Sequence, residues 1–266
     1  METTLSTLVK RLDDPALSET RVIPWGSPVL SFGDLSCAKV ATLGLNPSNR
    51  EFVDDSGNEL DGASRRFHTL SSLSLRRWSD ATARHLRLIM DYCRAYFLRN
   101  PYDAWFRKLD HIVSGTKASY YGTSARACHL DLIPYATACK WTELSNHQRL
   151  TLLDLAGDTL GLLVRESPVR LLVLNGSSVV QQFQAMSGVL LEKQPMYEWS
   201  LPRRSSAGVM GFSYMGTAQM LWGIKLKREI LVLGFNHNIQ SSFGVTTQVM
   251  AAIRNWIAMT VRKSIL

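Results

Sequence analysis

The chain has 266 residues, of which 45% are hydrophobic and 20% are charged, as is typical of a globular protein. A chain of this length can bury a sizeable core, so we expect one domain over residues 1–266. Thirty Lys and Arg residues against 22 Asp and Glu give a formal net charge of +8. Such a charge favours a polyanionic partner, because basic side chains displace counterions from phosphates.

Several classes of protein are disfavoured by the sequence. The amino-terminal residues lack the basic and then apolar pattern of a signal peptide, and no apolar stretch is long enough to cross a membrane. The four cysteines form no C-x-x-C pair, which predicts reduced thiols in a cytoplasmic protein. The histidines lack metal-ligand spacing, and no P-loop or G-x-G-x-x-G motif is present. We therefore expect neither a metal nor a cofactor.

Apolar runs and helical patterns alternate along the chain. Residues 3–12 predict an amphipathic helix, and residues 21–34 predict a hairpin or an edge segment. Apolar runs predict four strands, at about 38–44, 127–133, 169–174 and 229–234. Periodicity and capping residues predict further helices at 79–99, 102–114, 142–166, 177–186 and 244–263.

This alternation predicts an α/β fold. We expect a three-layer α/β/α sandwich around a central, mostly parallel, four-stranded sheet. Residues 189–216 are rich in aromatic and turn residues and predict a β-rich insertion within the single domain.

Two of the predicted strands end in a glycine that is followed by a polar loop. The first is followed by Asn46 and Pro47, and the proline makes its loop rigid. The second, at 229–234, leads into a loop that contains His237. In open α/β sheets, ligands bind at the carboxyl ends of the strands, so the two loops are able to converge on one cleft. Taken alone, each stretch also fits an ordinary strand-to-loop turn.

These stretches resemble motifs of the uracil-DNA glycosylase superfamily. Gly44-Leu45-Asn46-Pro47-Ser48 is similar to its first motif, in the Gly-x-Asn-Pro form of the mismatch-specific and single-strand-selective branches. Residues 237–242 resemble a degenerate second motif that keeps only the histidine and the final serine. Residues 65–68 look like the Asn-Arg-Phe-Trp segment that follows the first motif. The resemblance implies a monofunctional DNA glycosylase, which flips a nucleotide and hydrolyses its N-glycosidic bond to leave an abasic site.

The resemblance also assigns catalytic roles. Asn46 matches the position that orients the attacking water. His237 matches the residue that donates a hydrogen bond to the base O2 as negative charge develops there. The alternative for His237 is a structural loop histidine whose ring is satisfied by a backbone carbonyl.

Asp131 departs from the family pattern. Members that remove uracil usually carry asparagine at the matching place, whereas a carboxylate only accepts hydrogen bonds and is repelled by the uracil O4. A carboxylate suits the exocyclic amine of cytosine. Asp131 therefore predicts a modified cytosine as substrate, such as glucosylated hydroxymethylcytosine in phage DNA, and a role in anti-phage defence. The alternative is an aspartate that pairs with an arginine or caps a turn.

Further residues are assigned to base and DNA binding. Leu45 is placed in the base pocket, and Phe52 and Phe67 are candidates for stacking on the base, although either also fits the core. At positions 240 and 241, where relatives insert an apolar side chain into the base stack of the DNA helix, this chain has small polar residues. The resemblance therefore implies only weak insertion into duplex DNA. The predicted DNA-binding residues are Ser48, Asn49, Arg50, Arg65, Arg66, Arg203, Arg204, Asn238, Gln240, Ser241 and Ser242.

Two other functions stay open at this stage. One is a repair glycosylase for uracil or mismatched bases. The other is a catalytically silent nucleic-acid-binding protein that keeps the fold without the chemistry. The two glycosylase hypotheses predict DNA as the partner and the third predicts a nucleic acid, and we expect a monomer without a membrane partner.

Overall fold

The computed structural model describes residues 1–100, 103–202, 208–240 and 244–264. The helices are α1 (Glu2–Arg11), α2 (Pro15–Ser18), α3 (Ala83–Arg94), α4 (Tyr96–Arg99), α5 (Ala104–Val113), α6 (Asn146–Ala156), α7 (Asp158–Glu166), α8 (Ser177–Ser187) and α9 (Thr247–Ser264). The strands are β1 (Val40–Gly44), β2 (Ala127–Asp131), β3 (Leu171–Asn175), β4 (Glu192–Leu201), β5 (Val209–Leu221) and β6 (Ile224–Phe235).

The protein has a mixed α/β fold built on one six-stranded, mostly parallel sheet. The strand order is β2-β1-β3-β6-β5-β4. The first four strands in this order run parallel to one another, and β5 and β4 continue the sheet with antiparallel pairing. The α/β class is therefore confirmed, whereas the prediction of four strands is wrong, because β4 and β5 join the same sheet.

The three shortest parallel strands are apolar because both of their faces are buried. Every residue of β2 and β3 is buried, and so are the first four residues of β1. Strands of this kind read as continuous hydrophobic runs rather than as alternating patterns, which is why the sequence showed them clearly. The polar residues Thr42, His129 and Asp131 interrupt this core, so each of them needs a partner.

The antiparallel part of the sheet extends the range predicted as a β-rich insertion. β4 and the first half of β5 lie inside residues 189–216. β5 then turns into β6 through Trp222 and Gly223, both with positive φ, at 49° and 73°. Positive φ at both central residues is the geometry of a type I′ hairpin turn, usually made by Asn-Gly. Because residue 222 is a tryptophan, the sequence did not indicate this turn. The predicted fourth strand therefore begins five residues after the observed start of β6.

Two predicted helices are divided in the structure. The segment predicted for 79–99 begins at α3, where Thr82 and His85 form a capping box, and it breaks at Ala95 before α4. The segment predicted for 142–166 begins at α6, which Ser145 caps, and divides at Gly157. A Cβ at residue 157 would lie 2.8 Å from the Trp222 indole nitrogen. This glycine thus lets the hairpin turn pack against the helices.

The segment predicted as a hairpin or an edge element covers the outer edge of β2. Phe32 and His129 exchange two backbone hydrogen bonds of 2.9 Å each, and Val22 pairs with Thr137 beyond the strand. The segment therefore pairs with an otherwise open sheet edge without forming a full strand.

The parallel register aligns the carboxyl ends of four strands. Gly44 pairs with Asp131, and Asn175 pairs with Phe235. The loops that follow β1, β2, β3 and β6 therefore leave the sheet along one edge. In the part of the chain that the structure describes, no helix has the length and apolar character to span a membrane.

Candidate functional site

A cleft of about 1060 Å³ lies at the carboxyl ends of the parallel strands. Its lining comes from the loop after β1, the last residues of β2, the start of α5, residues 138–143, and the loops after β3 and β6. A cleft at this edge is the usual ligand site of an open α/β sheet. The sequence-predicted residues that line it are Leu45, Asn46, Ser48, Asn49, Arg50, Arg66, Asp131 and Asn238.

The amide of Asn46 is held in one orientation. Its Nδ2 donates to Thr137 Oγ1 at 2.9 Å and to the Pro47 carbonyl at 3.1 Å. The Pro47 carbonyl only accepts, and the Thr137 hydroxyl already donates to Cys139 O at 2.7 Å. Both partners therefore require the NH₂ group to face them. No described protein group donates to Asn46 Oδ1, which leaves this oxygen as an acceptor at the cleft.

Asp131 and His129 lie side by side over Gly44. Because side chains alternate along a strand, residues 129 and 131 share one face of β2. His129 Nε2 lies 3.5 Å from Asp131 Oδ1, and both side chains are buried. A Cβ at residue 44 would overlap Asp131 Oδ1 and lie 2.9 Å from His129 Nε2. The glycine that ends β1 therefore makes room for both groups.

Behind His129, a chain of hydrogen bonds leads into the core. His129 Nδ1 lies 2.7 Å from Thr42 Oγ1, which lies 2.5 Å from the Tyr120 hydroxyl. Thr42 and His129 are register partners on β1 and β2. Burial raises the pKa of Tyr120 well above its ordinary value, so its phenol stays protonated. The imidazole is thus anchored on its inner side and faces the cleft with its outer nitrogen.

A second group of acidic residues, Glu51 and Asp103, also lines the cleft. The Glu51 carboxylate lies 3.4 Å from Arg66 Nη1, which is also 3.3 Å from Asp103 Oδ2. The buried Tyr96 hydroxyl donates to Glu51 at 2.9 Å. Burial raises the pKa of Glu51 to about 7, with Asp103 acting in the same direction and Arg66 against it. A carboxyl group that titrates near neutral pH is suited to proton transfer.

The loops after β3 and β6 are joined by side-chain hydrogen bonds. Asn175 Nδ2 donates to Gln240 Oε1 at 2.7 Å, and Asn175 Oδ1 accepts from the Ile239 amide at 3.2 Å. Gln240 Nε2 reaches the Trp105 carbonyl at 3.4 Å. Gln240 therefore joins this side of the cleft to α5, so that its side chain is engaged within the protein.

The structure does not bring His237 into the cleft. Its ring is buried, and Nε2 lies 2.6 Å from the Trp199 carbonyl, to which it must donate. Burial lowers the pKa of His237, so the ring is neutral and its one proton is engaged. This arrangement does not fit the predicted donation from His237 to the base O2. It fits the alternative, in which His237 is a structural loop histidine satisfied by a backbone carbonyl.

The predicted stacking residues also lie elsewhere. Phe52 and Phe67 are each 1% exposed and pack together at 5.8 Å between ring centroids. Phe67 further stacks on Tyr96 at 5.3 Å. Both belong to the aromatic core, because burial of a large ring outweighs its place in a polar stretch of sequence. The cleft instead presents Trp105, which is 41% exposed.

The arginines predicted to bind phosphate are paired with carboxylates. Arg50 contacts Asp55 at 2.5 Å, Arg65 pairs with Asp61, and Arg66 faces the acidic group of Glu51. Of the three, Arg65 does not line the cleft. The predicted residues Arg203, Arg204, Ser241 and Ser242 lie outside the described residues.

Several residues of the cleft were missed by the sequence analysis. Glu51 lies in the same loop as Asn46, and His129 lies two residues before Asp131, so loop membership and strand alternation are signals that point to them. Asp103 carries the pattern of a helix N-cap, and its Oδ1 accepts from the amides of Trp105 and Phe106. Lys140 is exposed at the rim, and nothing in its sequence context marks it.

Among the described residues, no group of three or more His, Cys, Asp or Glu side chains is placed to hold a metal ion. The four cysteines are free. The sequence matches no protein-family model, and no curated protein matches it.

Proposed function

We propose that the protein is a monofunctional DNA glycosylase that hydrolyses the N-glycosidic bond of a flipped, modified cytosine. A glucosylated hydroxymethylcytosine of phage DNA is the substrate that we favour. The observation that carries the proposal is the pairing of two groups in one cleft: an asparagine amide whose carbonyl oxygen is fixed and free, and the carboxylate of Asp131. The resemblance of residues 44–48 to the first glycosylase motif supports the same conclusion.

The chemistry requires a positioned water and a stabilised leaving base. Asn46 Oδ1 accepts a hydrogen bond from the water, which attacks C1′ as the C1′–N bond breaks and the base leaves with the electron pair. Because an amide is not a strong base, the transition state has oxocarbenium character and the water loses its proton late. Glu51 is the group that we assign to accept this proton, because its pKa of about 7 suits proton transfer at neutral pH.

Asp131 would accept a hydrogen bond from the exocyclic amine of the base, in the way that carboxylates read cytosine. Trp105 would stack on the flipped base or a neighbouring one, a contact worth about 1–3 kcal/mol. The proposal includes helices on both faces of the sheet, a DNA partner, a monomeric protein in the cytoplasm, and a role in defence against phages with modified cytosine.

The test is excision on three DNAs. The protein is incubated with phage DNA that contains glucosylated hydroxymethylcytosine, with unmodified DNA and with uracil-containing DNA, and each is then treated with alkali. We expect strand breaks only in the modified DNA, lost in Asn46→Ala and retained in Asn146→Ala, a matched change at an exposed position in α6. Breaks in the uracil DNA would identify a repair enzyme instead and would make Asp131 a structural residue.

A second candidate is a catalytically silent nucleic-acid-binding protein. The observation that favours it is the orientation of His237, whose ring faces Trp199 rather than the cleft. This candidate predicts salt-dependent DNA binding without alkali-labile sites in any of the three DNAs.

A further inference from the structure

The position of His129 beside Asp131 suggests a second base-reading group. The imidazole and the carboxylate occupy neighbouring places on one face of β2, at the floor of the cleft. Their 3.5 Å separation is at the limit of a hydrogen bond. Neither group is therefore saturated by the other, and both are able to bind a ligand.

The buried chain behind His129 fixes where its proton lies. Among the described residues, the Tyr120 hydroxyl has Thr42 Oγ1 as its one hydrogen-bond partner. A buried phenol that did not donate would leave its proton unpaired, at a considerable cost. Tyr120 therefore donates to Thr42, and the Thr42 hydroxyl donates to His129 Nδ1. Since Nδ1 accepts, the proton of the neutral imidazole is on Nε2, toward the cleft.

The ring of His129 is also fixed in rotation. Phe32, Trp105 and Phe106 surround it, with ring centroids 5.4, 5.5 and 5.3 Å away. The cleft thus presents a rigid donor, His129 Nε2–H, beside a rigid acceptor, Asp131 Oδ1. A donor next to an acceptor matches a base edge on which a ring nitrogen that accepts lies beside an exocyclic amine that donates. Cytosine has this edge at N3 and N4, whereas uracil presents an N–H and a carbonyl there and is mismatched at both positions.

We propose that His129 donates from Nε2 to the ring nitrogen of the base while Asp131 accepts from its exocyclic amine. The inference rests on the proposed glycosylase function and deepens it. As the C1′–N bond breaks, the electron pair left on the base is shared with this ring nitrogen. A fixed donor there stabilises the transition state more than the ground state. His129 thereby supplies the leaving-base stabilisation that the arrangement of His237 does not provide.

The test measures base selectivity without cleavage. In the Asn46→Ala background, affinities are compared for oligonucleotides that carry the modified cytosine, uracil or an abasic-site analogue. We expect His129→Leu to reduce the preference for modified cytosine over uracil by on the order of tenfold or more and to leave abasic-site binding unchanged. His129→Gln, which keeps an N–H donor, should restore part of the preference. His147→Gln, at an exposed position in α6, should change nothing.

The outcomes separate the two proposals. An unchanged preference in His129→Leu would overturn the role of His129 and leave the glycosylase proposal standing. If the Asn46→Ala protein with His129 intact shows no preference for modified cytosine, both the role of His129 and the proposed glycosylase function are overturned. Thr42→Val keeps the imidazole and removes its inner partner, so a reduced preference in this folded variant supports the inference even if His129→Leu does not fold.

Discussion

At the scale of single residues, the acidic group beside the cleft has a consequence for stability. Glu51 has a pKa of about 7 in the folded protein, above its ordinary value of 4.5, so the folded state holds a proton that the unfolded chain releases. A raised carboxyl pKa contributes stability below pH 4.5, and this contribution is lost as the pH rises to 7. His68 acts in the opposite direction, because burial lowers its pKa to about 4.

We expect Glu51→Gln to be more stable relative to the parent protein at pH 8 than at pH 5. The variant has no carboxyl to deprotonate, so its relative gain should be on the order of 1–3 kcal/mol across this range. The measurement is the free energy of unfolding in urea for both proteins at the two pH values. The titration of His68 changes the free energy of unfolding equally in the variant and in the parent protein, so it cancels in the comparison. Parallel pH dependences would show that folding does not raise the pKa of Glu51, and the assignment of Glu51 as the proton acceptor would lose its support.

At the residue scale, the sequence located residues of the cleft where a position follows directly from a strand end. Asn46 and Asp131 come at the ends of two apolar runs, and the parallel register brings them to one edge. The sequence did not predict which residues reach the cleft where this depends on the rotation of a side chain. His237 also follows a strand end, but its ring turns toward Trp199. Phe52 follows the first motif closely, yet its ring enters the aromatic core. Neither orientation is encoded in residue spacing.

At the scale of elements, the junction of β1 and β2 determines the positions of the His129 and Asp131 side chains. Gly44 is glycine for steric reasons rather than for its backbone conformation, since its φ lies outside the left-handed region. We expect Gly44→Ala to fold and to displace Asp131 and His129, because the new Cβ would occupy their space. A displacement of about 1 Å is sufficient to reduce the rate about 100-fold.

The measurement is single-turnover excision together with the melting temperature. Gly122→Ala is the matched control, because its nearest contacts are 3.3 Å away and it does not line the cleft. A Gly44→Ala protein with normal excision would mean that the carboxylate and the imidazole do not read the base from their observed positions.

Elements were predictable from the sequence to the extent that burial is uniform along them. β2 and β3 are buried throughout and β1 over its first four residues, and all three were located within one to two residues. β6 was located only in its buried half, because residues 224–229 alternate between exposed and covered positions. The division of the helices at Ala95 and Gly157 depends on packing against distant residues, such as Trp222, which local periodicity does not report.

At the scale of the whole molecule, the charge of +8 is not concentrated in the cleft. The charged side chains that line it are four acidic and three basic ones: Glu51, Asp103, Asp131, Glu143, Arg50, Arg66 and Lys140. The cleft therefore carries no excess of positive charge, and its interior is suited to a base rather than to phosphates. Lys140 is exposed at the rim, and no described carboxylate lies within ion-pair distance of it. We therefore expect the phosphates that flank the flipped nucleotide to contact Lys140.

Lys140→Ala should weaken DNA binding by a similar factor for every sequence and should reduce the slope of log K against log salt by about one. The affinity is measured from about 50 to 200 mM salt with single- and double-stranded oligonucleotides. Lys225→Ala is the matched control, because Lys225 is exposed at the amino end of β6, the opposite edge of the sheet. If both variants keep the parent protein's slope of log K against log salt, the DNA phosphates do not contact Lys140. The basic residues that bind DNA then lie on another face of the protein. If only Lys140→Ala changes it, the DNA backbone passes over the cleft that holds Asn46 and Asp131, which places the flipped base within reach of both.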